Sequence, residues 1–258
     1  MRAVRVIPDD GPIPLPDRRT ELPSEAADEF FGAAAATWRG EGPVLDVGTG
    51  PGSVAAELAA RGVGLMATDV TDRRGPQCPD VPFVLAAADE LPFRSGALAG
   101  VHISRALHRA RDWRAAVAEA TRVLRPAGAL CLDVGGGRAP NLIDDLLAEL
   151  RRRAEQRGVP PAEAGNGLET NPDQVDQVAC RGLVRAGDIV VDYAVEHTPR
   201  AAMAAAAQDP DGWAGGSDLG PLAQLVEDVM ADAGVDPDLP LRQARTARYR
   251  VYRRPGVA

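Results

Sequence analysis

The chain has 258 residues, enough for one α/β domain with additions or for two small domains. Its 37 acidic residues outnumber its 29 basic residues, and the net charge of −8 disfavours general binding to nucleic acid or to an anionic membrane. The 3 cysteines are scattered without a C-x-x-C pair, so neither a disulfide framework nor a metal site is predicted. No apolar run reaches the roughly 18 residues of a spanning helix and no signal-peptide core is visible, so we expect a soluble, cytoplasmic protein.

The N-terminal region is predicted to be an extended arm followed by a helix. Five prolines within residues 1–24 disfavour a helix there. Ser24 is a suitable cap for a helix from about Glu25 to Trp38, whose large apolar side chains share one face. We expect this helix to pack over a sheet, with lining of a ligand pocket as the alternative. Residues 1–40 are thus predicted to form an arm and cap helix, and residues 41–258 the main domain, with a helix and a possible lid loop at 138–180.

A glycine-rich loop follows a short apolar run, and the rest of the chain is organised around it. Val44–Val47 has the composition of a strand buried on both faces of a parallel sheet. Gly48, Thr49, Gly50 and Gly52 then lead into an amphipathic helix. Such glycines let the backbone turn tightly and approach a ligand, and the first N–H groups of a helix lack partners within it. An ordinary tight loop would need the same glycines, so only the later motifs can distinguish a ligand-binding loop from a structural turn.

The loop does not suit a phosphate-bearing ligand. A dinucleotide fingerprint starting at Gly48 needs a glycine where Ser53 stands. A phosphate-cradling P-loop needs a lysine, and the chain contains none. Asp46 would be repelled by a pyrophosphate, whereas it would attract a cation or an ammonium group.

A second strand, residues 64–69, ends in Asp69, which lies 23 positions after Asp46. At about this spacing, an acidic residue in nucleotide-binding α/β units meets ribose hydroxyls, and a carboxylate can accept from both. Val70 follows directly and is included in the candidate site. The prolines in residues 71–82 predict that the usual crossover helix is absent or one turn long.

Two further strands bring polar residues to the same edge of the sheet. Residues 83–87 form the third predicted strand and lead into the segment 88–93. Residues 98–104 form the fourth strand, which ends at Ser104. His108 follows, and its side chain could deprotonate a ligand hydroxyl, although a lone histidine more often caps a turn or lines a pocket wall.

The remaining elements follow from periodicity and turn residues. Asp112 is predicted to cap a helix that ends before Pro126, and a fifth strand follows Gly128 and runs to Val134. The other predicted elements are a helix from Asn141 to about Arg157, a loop over 158–178, a strand over 189–196, a helix over 219–233 and a last strand over 247–251.

Four ordered segments resemble motifs of the class I S-adenosylmethionine-dependent methyltransferases. They are D-x-G-x-G-x-G at 46–52, A-D-E-L-P-F at 88–93, L-H at 107–108 and R-V-L-R-P-A-G-A-L at 122–130. The second is similar to a small-molecule branch that includes the ubiquinone and menaquinone methylases. The resemblance implies a Rossmann-like α/β fold with a seven-stranded, mostly parallel sheet, an antiparallel last strand and helices on both faces.

The resemblance also implies roles for the candidate residues. The methionine end of S-adenosylmethionine would be held by Asp46, Gly48, Thr49, Gly50 and Gly52. Asp69, beside Val70, would bind the ribose. Asp89, flanked by Ala88 and Glu90, would accept from the adenine amino group, and Ser104 and His108 would lie near the sulfonium.

The implied activity is methyl transfer to a small-molecule acceptor by direct displacement, with S-adenosylhomocysteine as the product. No nucleic acid or membrane partner is expected, and the oligomeric state is not predicted. One alternative is an inactive methyltransferase-like binding protein, because Ala99-Gly100 replaces an acidic position of many relatives and residues 71–82 depart from the family. A nicotinamide-dependent reductase is disfavoured by Ser53 and Asp46.

Overall fold

The computed structural model describes residues 22–38, 40–133, 141–161, 173–209, 212–214 and 219–256. The strands are β1 (Val44–Val47), β2 (Leu65–Asp69), β3 (Phe83–Leu85), β4 (Leu98–Ser104), β5 (Leu124–Asp133), β6 (Val184–His197) and β7 (Leu241–Arg253). The α-helices are α1 (Ser24–Ala36), α2 (Ser53–Ala60), α3 (Trp113–Val123), α4 (Leu142–Gln156), α5 (Gln174–Ala179), α6 (Pro199–Gln208) and α7 (Gly220–Ala233). Most of the predicted proline-rich arm, Val134, the glycines at 135–137 and much of the predicted 158–178 loop lie outside the described residues.

The strands form one seven-stranded sheet in the order β3-β2-β1-β4-β5-β7-β6. Neighbouring strands from β3 through β5 pair in parallel, and β7 pairs with β5 antiparallel. The predicted Rossmann-like α/β fold with a mostly parallel sheet and an antiparallel last strand is therefore confirmed.

Helices cover both faces of the sheet. On one face, the apolar residues of β1, β4 and β5 share a core with the buried sides of α3 and α5. On the other face, Trp38, just after α1, donates its indole N–H to the carbonyl of Ala129 at 3.1 Å. Phe30 of α1 stacks on Tyr249 of β7, with ring centroids 4.4 Å apart. The predicted packing of the N-terminal helix over the sheet is thus confirmed.

The chain divides into two compact units. Within the described residues, the unit with most of the sheet contains 24–38, 40–133, 173–192 and 246–256. The other contains 22–23, 141–161, 193–209, 212–214 and 219–245, and its core is formed by α4, α6 and α7 together with Trp213. The predicted boundary after residue 40 stays a prediction; in this division α1 falls in the same unit as β1–β5. Among the described helices, none is both long and apolar enough to cross a membrane.

Some elements differ from the sequence-based predictions. The predicted loop over 158–178 is wrong for its last residues, because α5 begins at Gln174. This helix has two fully buried side chains, Val175 and Ala179, and so short an apolar pattern gives little periodic signal. Helix α6 was not predicted; it begins after Thr198, whose hydroxyl accepts from the N–H of Ala201 at 3.1 Å. Strand β5 begins earlier than predicted, directly after α3. The predicted absence of a longer crossover helix between β2 and β3 is confirmed in the described segment 70–82.

The presence of Ala99-Gly100 in place of an acidic residue at the start of β4 is explained by packing. A Cβ atom added to Gly100 would lie 2.3 Å from Nε1 of the buried Trp38. Strand β4 therefore needs a glycine where the indole ring crosses it, and a Cβ would push that ring off the Ala129 carbonyl.

We predict that Gly100→Ala lowers the free energy of unfolding by about 1–3 kcal/mol, as overpacking of a filled core does. Gly32→Ala is the matched control. Gly32 lies inside α1 with nothing within 4 Å of an added Cβ, so this substitution should raise the free energy of unfolding by about 0.5–1 kcal/mol. Urea denaturation followed by tryptophan fluorescence measures both. A Gly100→Ala protein as stable as the unchanged chain would contradict the packing of Trp38 across β4.

Candidate functional site

The glycine loop between β1 and α2 has a backbone that requires glycine. Gly48, Gly50 and Gly52 have φ angles of 72°, 53° and 87°, in the left-handed region that side chains disfavour. A Cβ on Gly48 would also lie 2.4 Å from the Cβ of Ala106, whereas one on Gly50 would meet nothing within 4 Å. The N–H of Gly48 donates to the carbonyl of Thr68 on β2 at 2.8 Å, which ties the loop to the neighbouring strand.

Asp46 lies buried beneath this loop, with 3% of its surface exposed. Its Oδ1 is 2.6 Å from Nδ1 of His102, and its Oδ2 accepts from the hydroxyl of Thr49. The contact with His102 follows from strand pairing, because the two residues are register partners on β1 and β4. A negatively charged group is thereby held directly under the loop from two sides.

Asp69 at the end of β2 supports the loop from the side. Its Oδ2 accepts from the N–H of Gly50 at 2.9 Å, and its Oδ1 lies 3.4 Å from the N–H of Thr71. Each carboxylate oxygen has two lone pairs, so both retain capacity to accept from a ligand hydroxyl. Val70 beside it is 67% exposed, an unusual exposure for a large apolar side chain.

Strand register places four residues side by side at the carboxyl edge of the sheet. Asp69 follows the pair Val47–Thr68, so Gly48 lies beside it, and Ser104 and then Asp133 occupy the same level on β4 and β5. Adjacent strands lie about 4.8 Å apart, so this row spans about 14 Å. Ligands of open α/β sheets bind at this edge.

Asp133 is a site candidate that the sequence reasoning missed. It is 2% exposed, and its Oδ2 lies 3.4 Å from the hydroxyl of Ser104. The missed signal was a carboxylate at the end of an apolar strand, the same pattern as at Asp46 and Asp69. His102 was missed for a different reason, since its importance depends on which strand lies beside β4.

The loop after β3 presents Asp89, whose side chain is 3% exposed. The guanidinium of Arg111, itself 84% exposed, donates to Asp89 at 3.0 Å. Ala88 is half-buried and Glu90 is exposed. This ion pair joins the loop after β3 to the segment after β4.

Two residues of α3 fix the segment that follows Asp89. Arg122 donates to the carbonyls of Leu91 at 2.9 Å and Phe93 at 2.7 Å. Glu119 accepts from Arg122 at 2.6 Å and from the N–H of Leu91 at 2.9 Å. The arginine of the R-V-L-R-P segment thus connects helix α3 to the A-D-E-L-P-F segment.

His108 lies in the single 3₁₀ turn Leu107–Arg109 and is half-buried. The chain enters this turn through Arg105, whose φ of 54° is unusual for a residue with a side chain. The structure thus places His108 four residues beyond Ser104, after the carboxyl end of β4. Its role as a base stays a prediction.

The proline-rich segment between β2 and β3 packs against the glycine loop. The N–H of Gly75 and the side-chain amide of Gln77 donate to the carbonyl of Pro51 at 3.0 and 3.2 Å. The Cys78 side chain lies so near Gly52 that a Cβ there would be 2.4 Å from its sulfur. This proline-rich segment therefore supports the glycine loop through hydrogen bonds and packing. Within the described residues, no cluster of three or more His, Cys, Asp and Glu side chains could hold a metal ion.

We predict that Glu119→Gln lowers the free energy of unfolding by about 1–2 kcal/mol at pH 7. The hydrogen bond from Arg122, with that from the Leu91 N–H, holds the pKa of Glu119 below its ordinary value of 4.5. The stabilisation is therefore complete above pH 4.5 and is lost as pH falls through the lowered pKa.

Urea denaturation at pH 7 and at pH 3 measures this difference, which should shrink in acid. The control is Glu41→Gln, which breaks the exposed Glu41–Arg125 pair and should change stability by less than about 0.5 kcal/mol. Equal effects of the two substitutions would contradict the assigned role of Glu119.

The chain is similar to known methyltransferases in sequence and in fold. Residues 45–132 match the model of a family described as the methyltransferase domain. An uncharacterized methyltransferase of Mycobacterium tuberculosis H37Rv is 33% identical over 141 residues, which cover 53% of this chain and 53% of that protein. A demethylmenaquinone methyltransferase of Beutenbergia cavernae is 35% identical over 91 residues, 34% of this chain and 38% of that protein. The chain spans about half the length, or less, of these curated relatives.

A solved structure shows the same fold over most of the chain. A Bacillus halodurans protein described as a candidate methyltransferase superposes with a TM-score of 0.57 at 18% identity, covering 90% of this chain and 100% of that chain. At that identity the likeness concerns the fold alone. Together with the matching family model, it confirms the resemblance drawn from the sequence motifs. Residues 45–132 therefore match a methyltransferase domain, and the chain resembles the class I S-adenosylmethionine-dependent methyltransferases, the menaquinone methylases among them.

Proposed function

We propose that this protein transfers the methyl group of S-adenosylmethionine to a small-molecule acceptor and releases S-adenosylhomocysteine. The observation that carries the proposal is the buried Asp46 carboxylate beneath a glycine loop, at the edge where Asp69 and Ser104 lie in register.

The residues present fit the methionine end of this donor. S-adenosylmethionine carries positive charge on its sulfonium and on its amino group, and Asp46 supplies a negative charge below the loop. The backbone at Gly50 is open, because an added Cβ would meet nothing within 4 Å. A ligand can therefore approach the backbone there, and the carboxylate of the donor can accept from backbone N–H groups at the start of α2.

The nucleoside end fits the neighbouring residues. Asp69 is fixed by Gly50 through Oδ2, which orients the carboxylate and lets Oδ1 accept from ribose hydroxyls. Val70 offers an exposed apolar surface beside it, suited to the purine face. Asp89, with Ala88 and Glu90 beside it, would accept from the adenine amino group, with Arg111 holding its carboxylate.

When bound, S-adenosylmethionine supplies an electrophilic methyl group on a positively charged sulfur. The protein would hold the acceptor so that its lone pair points at the carbon, opposite the breaking carbon–sulfur bond. Orientation of this kind supplies most of the rate, so few catalytic side chains are required. Ser104 and Asp133, at the end of the row away from Asp69, would lie nearest the acceptor, and His108 is the proposed base for an acceptor hydroxyl.

The alternative is a methyltransferase-like protein that has lost transfer activity. The two departures that motivated it both have structural reasons, because Gly100 accommodates Trp38 and residues 75–78 support the glycine loop. Neither removes a residue of the proposed site, which favours the enzyme. The nicotinamide-dependent reductase stays disfavoured, since the Asp46 carboxylate would repel a pyrophosphate bound over the glycine loop.

Two measurements test the proposal. Calorimetric titration with S-adenosylmethionine should show one site, and incubation of the protein with methyl-labelled donor and a small-molecule cell extract should yield a new labelled metabolite by mass spectrometry. Binding without any labelled product would favour the inactive binding protein. Absence of binding, together with an absorbance change on mixing with NADH, would favour the reductase.

We predict that Asp69→Ala weakens binding of S-adenosylmethionine by about 1–3 kcal/mol, because charge-assisted hydrogen bonds to the ribose and to Gly50 are lost. The control is Asp72→Ala, an exposed carboxylate three residues on that pairs with Arg74, which should leave affinity unchanged. Calorimetric titration of both variants with S-adenosylmethionine measures the two affinities. Unchanged affinity in Asp69→Ala would remove Asp69 from the site.

A further inference from the structure

His102 is a fully buried titratable side chain at the centre of the sheet, with 0% of its surface exposed. Its register partners are Asp46 on β1 and Cys131 on β5. A buried polar ring needs hydrogen-bond partners to offset its lost hydration. The partner on one side is Asp46, at 2.6 Å from Nδ1.

The contact with Asp46 assigns the proton of the ring. An ionised carboxylate only accepts hydrogen bonds, so beside a charged Asp46 the hydrogen between the two groups belongs to Nδ1. With the Thr49 hydroxyl on the other oxygen, both oxygens of Asp46 are held by groups of the protein itself. The carboxylate is therefore fixed in direction before any ligand arrives.

The far side of the ring indicates that it is neutral. Among the described residues, Nε2 has no hydrogen-bond partner. The rings of Trp38 and Tyr249 lie edge to face with the imidazole, at centroid distances of 6.0 and 5.1 Å. Burial raises the pKa of the neighbouring Cys131 thiol to about 12, so that group stays uncharged at neutral pH. A protonated Nε2 would be a buried donor without an acceptor, which costs more than a bare ring nitrogen.

We propose that His102 is a positioning residue for the methyl donor: its Nδ1–H fixes the Asp46 carboxylate, and its neutral ring leaves the charge of that carboxylate uncancelled. This inference rests on the proposed function. An imidazolium at the same place would neutralise the charge that attracts the donor, and an apolar residue would leave the carboxylate free to turn.

A pair of amide variants separates positioning from simple filling of space. Asn places an amide N–H at the same number of bonds from the backbone as Nδ1, whereas Gln is closer to histidine in volume but moves the donor one bond further out. We expect His102→Asn to bind S-adenosylmethionine within about threefold of the unchanged protein, and His102→Gln to bind about ten- to hundredfold more weakly. A role in packing alone would give the reverse order, with Gln the better substitute.

Nuclear magnetic resonance of the unchanged protein supplies a second readout that does not depend on variants folding. The chain has 3 histidines, so long-range proton–nitrogen correlations of the imidazole rings can be assigned individually. The His102 ring should show a protonated Nδ1 and a bare Nε2 at pH 8. The opposite tautomer, a doubly protonated ring, or equal donor affinity in both variants would overturn the proposal.

Failure of the proposed function has a separate signature. If the unchanged protein does not bind S-adenosylmethionine in the same titration, the proposed function and the cofactor role of His102 both fail. If it binds and the variants follow packing volume, the role of His102 alone fails.

Discussion

The structure depends on one buried carboxylate held between two strands and a loop. Asp46 on β1 meets His102 on β4 and the Thr49 hydroxyl of the glycine loop, and all three residues are buried. A charge removed from water is tolerated when it is well hydrogen-bonded, and removing one partner is expensive. The interaction therefore couples the shape of the loop to the pairing of the two central strands.

The same interaction connects the site to the hydrophobic core. The ring of His102 packs against Trp38, beside α1, and Tyr249 of β7, and Phe30 stacks on that tyrosine in turn. Because Gly100 has no side chain, the indole ring of Trp38 can lie across β4. The N-terminal helix and Trp38 thus pack behind the sheet against the residues that surround the Asp46–His102 contact.

Local sequence patterns predicted much of this arrangement. The apolar run Val44–Val47, the glycine spacing and the carboxylate of Asp69 are each visible within a few residues, and all three lie where they were expected. His102 could not be identified in this way, because its partner lies 56 positions away and the contact requires knowing that β4 lies beside β1. Helix α5 was missed because six residues with two buried side chains carry too weak a period.

The most direct test of the central claim is a crystal structure of the protein with S-adenosylmethionine. We expect the positively charged methionine end over the glycine loop, above Asp46, with the ribose hydroxyls at Asp69 and the Asp46–His102 contact unchanged. A donor bound elsewhere, or a phosphate-bearing compound from the cell in the loop, would contradict it. Either result would show that the buried negative charge does not select the ligand.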